Sequence, residues 1–161
     1  MSGARGQNMV RVLVCGERLR GDDAAAIRAA RTLPADALSL AELIEVGQLS
    51  VEALLDVPHG VAFIVADAAA GVASGQVVTL PLSDIARGAG HGATPASSHS
   101  LPPDQVLALA EEMAGSPLRG SFVGIGGEEF RLGEGLSPAV AAGMPAFATA
   151  LSKEIRRLAG E

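Results

Sequence analysis

The chain predicts an α/β fold, with helices on both faces of a mostly parallel sheet. Three observations predict it. Short apolar runs rich in Val and Ile alternate with helix-forming segments from residue 10 to residue 66. The run Phe63-Ile64-Val65-Ala66 is wholly apolar, as a strand buried on both faces must be, and it stops at Asp67. The next strand candidate, 76–80, begins only nine residues after Asp67. That is too short for a parallel crossover, which takes roughly a dozen residues, so this strand runs antiparallel and the sheet is mixed.

Each element has its own reason. Val10 to Cys15 is rich in Val and apolar apart from Arg11, and Gly16 stops it. Asp22-Asp23 then open Ala24 to Arg31, a strong helix former; Asp22 is an N-cap candidate, and Arg28 and Arg31 suit the negative end of the helix dipole. Pro34 stops this helix. Leu40 to Val46 is a second strand, ended by Gly47-Gln48. Ser50 to Val57 forms a short helix with Val51, Leu54 and Leu55 on one face. After the breaker Pro58-His59-Gly60 comes the apolar strand at 61–66. The β-α-β-α-β run implies parallel strands joined by right-handed crossovers.

Gln76 to Leu80 is the antiparallel strand, and Gly88 to Ser98 is a Gly/Ala/Ser/Thr-rich loop. Pro102-Pro103 open a helix running through Leu107 and Met113. Ser121 to Ile125 is the last strand, and Gly126 to Gly135 is a loop rich in Gly and Glu. Ser137-Pro138 start a long helix to about Leu158, with Pro145 as a kink inside it. Residues 1–8 are expected to be a loose tail with no apolar signal-peptide segment, and residues 9–161 one domain, with Met9 a candidate natural start.

Composition narrows the function. Hydrophobic residues make up 48% of the 161 but aromatics only 2%, with no Trp or Tyr, so the core is Ala, Val, Leu and Ile. A chain without aromatic platforms and with net charge −6 is unsuited to nucleic acid. No apolar run reaches the roughly 18 residues of a membrane span. The single cysteine, Cys15, excludes an internal disulfide and fits a reducing, cytoplasmic setting. As the last residue of a buried strand it reads as a small core residue.

The candidate chemistry lies at the carboxyl ends of the strands, where open α/β sheets bind ligands. In a doubly wound sheet the first and third strands are neighbours, so the loop after Gly16 meets the loop after Ala66. Asp22 and Asp23 are on the first and Asp67 on the second. Two carboxylates in one crevice repel unless a cation or a proton sits between them. His99, just before a helix, is the best third ligand, and two carboxylates with one imidazole suit Zn²⁺, Ni²⁺ or Mn²⁺. The plainer alternatives are that Asp67 caps a turn, one Asp of the pair caps a helix, and His99 is a surface histidine. His59 reads as structural and His91 as exposed. The chain holds no Gly-x-Ser-x-Gly elbow, Walker loop or Cys-x-x-Cys, and Gly16 to Gly21 lacks the dinucleotide-binding glycine pattern.

These residues, taken together, resemble the hydrogenase maturation proteases, the endopeptidases of nickel-iron hydrogenase assembly. The matching stretches are the first strand into Gly16, Leu19, Asp22-Asp23 opening a helix, and Ala66-Asp67-Ala68. Ser98-His99-Ser100-Leu101, Phe122 to Gly126 and Leu136 to Val140 complete the match. The resemblance implies a three-layer α/β/α sandwich of phosphorylase/hydrolase-like type. Its mixed five-stranded sheet would have the order 2-1-3-5-4, with strand 4 antiparallel. It also implies a metal held by Asp23, Asp67 and His99, which would be the catalytic residues. The metal would be nickel carried by the substrate, with Zn or Cd able to substitute in a crystal. The implied partner is the hydrogenase large-subunit precursor, whose C-terminal extension is removed by a monomeric enzyme. Two departures stand out: Gly16-Glu17 replaces the family's Gly-Asn, and Asp22-Asp23-Ala24-Ala25-Ala26 replaces Asp-Asp-Gly-x-Gly. A relative that binds a metallo-partner without cutting it is one rival reading. A small phosphate binder is another, disfavoured because carboxylates at the helix start repel phosphate.

Overall fold

A computed structural model describes residues 9–97, 101–133 and 135–161. The tail expected at 1–8 lies outside the described residues, as does His99. The strands are β1 (Val10–Cys15), β2 (Ala41–Gly47), β3 (Phe63–Ala70), β4 (Val77–Pro81), β5 (Thr94–Pro95) and β6 (Gly120–Gly126). The helices are α1 (Ala25–Arg31), α2 (Ala35–Leu38), α3 (Val51–Leu55), α4 (Leu82–Ala86), α5 (Pro103–Ala114) and α6 (Pro138–Leu158). A 3₁₀ turn, Gly21–Ala24, leads into α1.

The sheet path is β2-β1-β3-β6-β4, with β5 paired to the far end of β3. Six strands therefore replace the expected five. The extra one is a two-residue pairing inside the Gly/Ala/Ser/Thr-rich loop, where no periodic pattern marks a strand. Without it, the path is the expected 2-1-3-5-4. Strand β4 runs antiparallel to β6, which is itself parallel to β3, so the short connection does reverse the chain.

Strand alternation divides the core into two layers. Val12, Val14, Ile64, Ala66, Val123 and Ile125 face α1 and α6 with Phe147, Leu151 and Ile155. Leu13, Cys15, Phe63, Val65 and Phe122 face the other side, packing with Leu54, Leu82, Ile85 and Leu107 from α3, α4 and α5. Three layers result. Cys15 is a buried core thiol, as expected. Helix α6 runs unbroken through Pro145, whose ring forgoes one helical hydrogen bond. Among the described residues no helix is long and apolar enough to cross a membrane.

Two differences from the sequence reading bear on the site. Strand β3 does not stop at Asp67 but runs to Ala70, with Asp67 in register with Gly124 of β6. Asp is disfavoured in strands, which makes Asp67 look terminal. Here the strand continues because β6 pairs with it from Phe63 to Ala69 and β5 takes over where β1 has ended. Helices α2 and α4 are the second difference: both are single turns of four or five residues, too short for a periodic signal.

Candidate active site

The site is built where β1 stops and β3 goes on. Cys15 is the last residue of β1, and Gly16 turns the chain with φ of +122°. A Cβ on Gly16 would lie 1.9 Å from the carbonyl oxygen of Asp23, so only glycine lets the 3₁₀ turn fold back over the strand end. That turn carries Asp22 and Asp23 on adjacent residues with different fates.

Asp23 is half-buried, and its Oδ1 lies 2.8 Å from the hydroxyl of Ser97. Asp67 is fully buried inside β3; its Oδ2 accepts the Ser97 backbone N–H at 2.7 Å, and its Oδ1 lies 2.9 Å from the Ser97 hydroxyl. The structure thus brings Asp23 and Asp67 together on one serine. Burial, first, and the charge of Asp23 push the Asp67 carboxyl up to about 7, against the Ser97 donors that lower it. Asp23 is also raised, again by burial first; the Ser97 hydroxyl and the Glu17 N–H partly offset this. Cys15 lies near both carboxylates, and burial, then Asp67 and Asp23, keep it a thiol.

Among the described residues no cationic side chain forms an ion pair with either carboxylate, and the charge of Arg20 acts on Asp23 only as the smallest of the influences on it. One hydroxyl has one proton and can donate to one carboxylate at a time, so the second short contact calls for a proton or a cation. Two converging carboxylates of which one is wholly buried fit a divalent cation as hard oxygen donors. Among the described residues no group of three His, Cys, Asp or Glu is placed to hold a metal ion. His99 follows Ser97 by two positions and lies outside the described residues. His59 is exposed beside Val61 and Phe63, at the opposite end of β3 from Asp67, and His91 is exposed with φ of 56°.

Asp22 is not an N-cap. No side chain caps the 3₁₀ turn or α1, and Asp22 is fully buried. Its Oδ2 accepts the backbone N–H groups of Glu128 and Glu129, both at 2.8 Å, and the Ser137 hydroxyl at 2.8 Å. Its Oδ1 accepts the Ser137 N–H at 2.7 Å. Burial raises its carboxyl, but these four donors outweigh it and hold the group below its ordinary value. Asp22 therefore ties the 3₁₀ turn to the Gly- and Glu-rich loop and to the start of α6. Nothing near it in sequence announces that role, and Ser97 was missed likewise, because a serine in a loop reads only as a turn residue.

The departures from the family pattern are absorbed locally. Ala24, Ala25 and Ala26 are all buried, and the last two sit in the core under the sheet. Glu17 supplies Asp23 with a backbone N–H, which any residue at that position would carry. Beside the site a groove of about 800 Å³ opens between Gly16, Glu17, Ala24, Arg28, Arg31 and Gly47. Arg18, also on it, pairs with Glu45 at 3.0 Å, whereas Arg28 and Arg31 are exposed.

No protein-family model and no curated protein sequence matches the chain. Solved structures do. The hydrogenase maturating endopeptidase HybD from E. coli superposes with a TM-score of 0.67 at 22% identity, covering 92% of this chain and 93% of that one. The [NiFe] hydrogenase maturation protease HybD from Thermococcus kodakarensis gives 0.67 at 24% identity, covering 90% and 97%. A hydrogenase 3 maturation protease gives 0.64 at 16% identity, covering 89% and 88%. The chain has the fold of the [NiFe] hydrogenase maturation proteases over nearly its whole length.

Proposed function

We propose that this chain is a maturation endopeptidase that removes a C-terminal extension from the nickel-loaded large subunit of a nickel-iron hydrogenase. The observation that carries the proposal is the convergence of Asp23 and Asp67 at the carboxyl edge of a sheet whose fold is that of such proteases.

The nickel arrives as part of the substrate, held by the precursor, and supplies Lewis-acid polarisation of the scissile carbonyl and of an attacking water. The chain's own residues do the rest. Asp67, fixed inside β3, offers a buried carboxylate whose direction is set by the strand. Asp23 offers a second from the 3₁₀ turn, and His99 is the proposed third donor. The groove past Gly16 takes the chain that flanks the scissile bond, with Arg28 and Arg31 along its side. An empty precursor presents nothing to relieve the repulsion between the carboxylates, so selectivity for the loaded form follows from electrostatics. A reducing cytoplasmic setting suits the buried thiol of Cys15.

The test is incubation of the purified chain with nickel-loaded and nickel-free precursor. A mobility shift and a released peptide are expected for the loaded form alone. Cleavage of both forms at one rate, or of neither, overturns the proposal.

A further inference from the structure

Ser97 is placed by the sheet as well as by its own loop. Strand β5 pairs with Ala69 and Ala70, and the N–H of Ala96 reaches the carbonyl of Ala68 at 2.8 Å. The carbonyl of Ser97 accepts the N–H of Leu49 at 2.7 Å, which ties it to the chain after β2. Ser97 is itself buried, and from this anchored position it turns its N–H to one oxygen of Asp67 and its hydroxyl to the other. The same hydroxyl meets Asp23. Among the described residues neither carboxylate has an ion-pair partner, so Ser97 is the side chain that links them.

We propose that Ser97 is the positioning residue of a divalent-cation seat formed by Asp23 and Asp67. It fixes the spacing and direction of the two carboxylates, so that one cation meets both. Oxygen–metal bonds of roughly 2.0–2.2 Å leave little room for wandering ligands. Residues that hydrogen-bond to ligating carboxylates typically set metal affinity by about 10- to 100-fold. Losing the hydroxyl takes from the two carboxylates their common anchor. The inference rests on the proposed function only for who delivers the cation; uptake of the cation is a property of the isolated chain.

The experiment is calorimetric titration of the full chain with Cd²⁺ and with Ni²⁺ at pH 8. Wild type, Ser97→Ala, Ser97→Gly and Ser97→Thr are compared, with thermal midpoints as a check on folding. Alanine keeps the backbone ties and removes only the hydroxyl. Wild type is expected to take up one cation, the Ala and Gly variants to bind it about 10- to 100-fold more weakly, and Thr to restore affinity to within about threefold. Affinities of folded Ala and Gly variants within twofold of wild type overturn the inference, as does a wild-type chain that takes up no cation at millimolar concentration. Precursor cleavage by the same proteins separates the two proposals. Wild-type cleavage with unchanged Cd²⁺ affinity in Ser97→Ala removes Ser97 and leaves the peptidase standing. The expected affinity series without any cleavage removes the peptidase and leaves the cation seat.

Discussion

Asp22→Asn separates two roles for one carboxylate. If Asp22 were a helix cap, asparagine would replace it at almost no cost, because Asn caps as well as Asp. In the structure all its bonds are accepted from donors, three at Oδ2 and one at Oδ1. An amide group must turn its NH₂ toward one side. At the Oδ2 side it would oppose two backbone N–H groups, so it turns to Oδ1 and opposes only the N–H of Ser137. That leaves one buried N–H without an acceptor, costing about 1–3 kcal/mol. The three bonds at the other side persist without charge assistance, each weaker by about 1 kcal/mol. Burying a neutral group instead of a charged one returns part of this, so the net loss is about 3–4 kcal/mol. Domains of this kind have about 5–15 kcal/mol in all, and the midpoint should fall by about 10 °C. Urea denaturation at pH 7 with the variant and wild type is the assay. The loop at 128–133 should also become the first site of proteolysis. A loss under about 1 kcal/mol would refute the reasoning and return Asp22 to the role of a cap.

Other outcomes follow from the same geometry. Gly16→Ala should lose at least about 2 kcal/mol, because its φ of +122° disfavours a side chain and its Cβ would strike the Asp23 carbonyl; a midpoint within a degree of wild type would contradict this. Asp67 carries a folded-state pKa of about 7 against 3.8 unfolded, so between those values the folded chain holds a proton that the unfolded chain has released. Stability in urea should therefore fall as pH rises from about 4 to 7, and Asp67→Asn should flatten that slope. Added Cd²⁺ should raise the wild-type midpoint more at pH 8 than at pH 5.5, since the cation needs Asp67 without its proton; equal shifts at both values would contradict the assignment.

Most of the fold could be read from local pattern. The run at 63–66 is a buried strand because no polar side chain interrupts it, the run at 10–15 is broken only by Arg11, and the nine-residue step from Asp67 to Gln76 forced β4 to reverse. The strand order alone brings the Asp22-Asp23 turn beside Asp67, but it does not say which of the two aspartates faces Asp67; the choice of Asp23 came from the family resemblance. What could not be read depends on distant partners. Asp67 looks like a strand end until β6 is known to pair past it. Asp22 looks like a cap until the N–H groups of Glu128, Glu129 and Ser137 are seen to converge on it. Ser97 gains its place from β5, a pairing of two residues that leaves no periodic mark. The alanines at 24–26 look like lost substrate contacts, yet Ala25 and Ala26 are buried against the sheet and α6, and only Ala24 reaches the groove.

The most direct measurement compares wild type and Asp67→Asn on a nickel-loaded hydrogenase large-subunit precursor, following the released C-terminal peptide by mass. The amide has the volume of the carboxylate and no charge to bury, so the variant should fold with a midpoint at or above that of wild type at neutral pH, while cleavage falls by about 100-fold or more because a neutral group barely holds the cation. Wild type should leave the nickel-free precursor intact. A folded Asp67→Asn protein that cleaves the loaded precursor at the wild-type rate would contradict the role given to the buried carboxylate, and wild type that binds the loaded precursor without cutting it would contradict the enzyme.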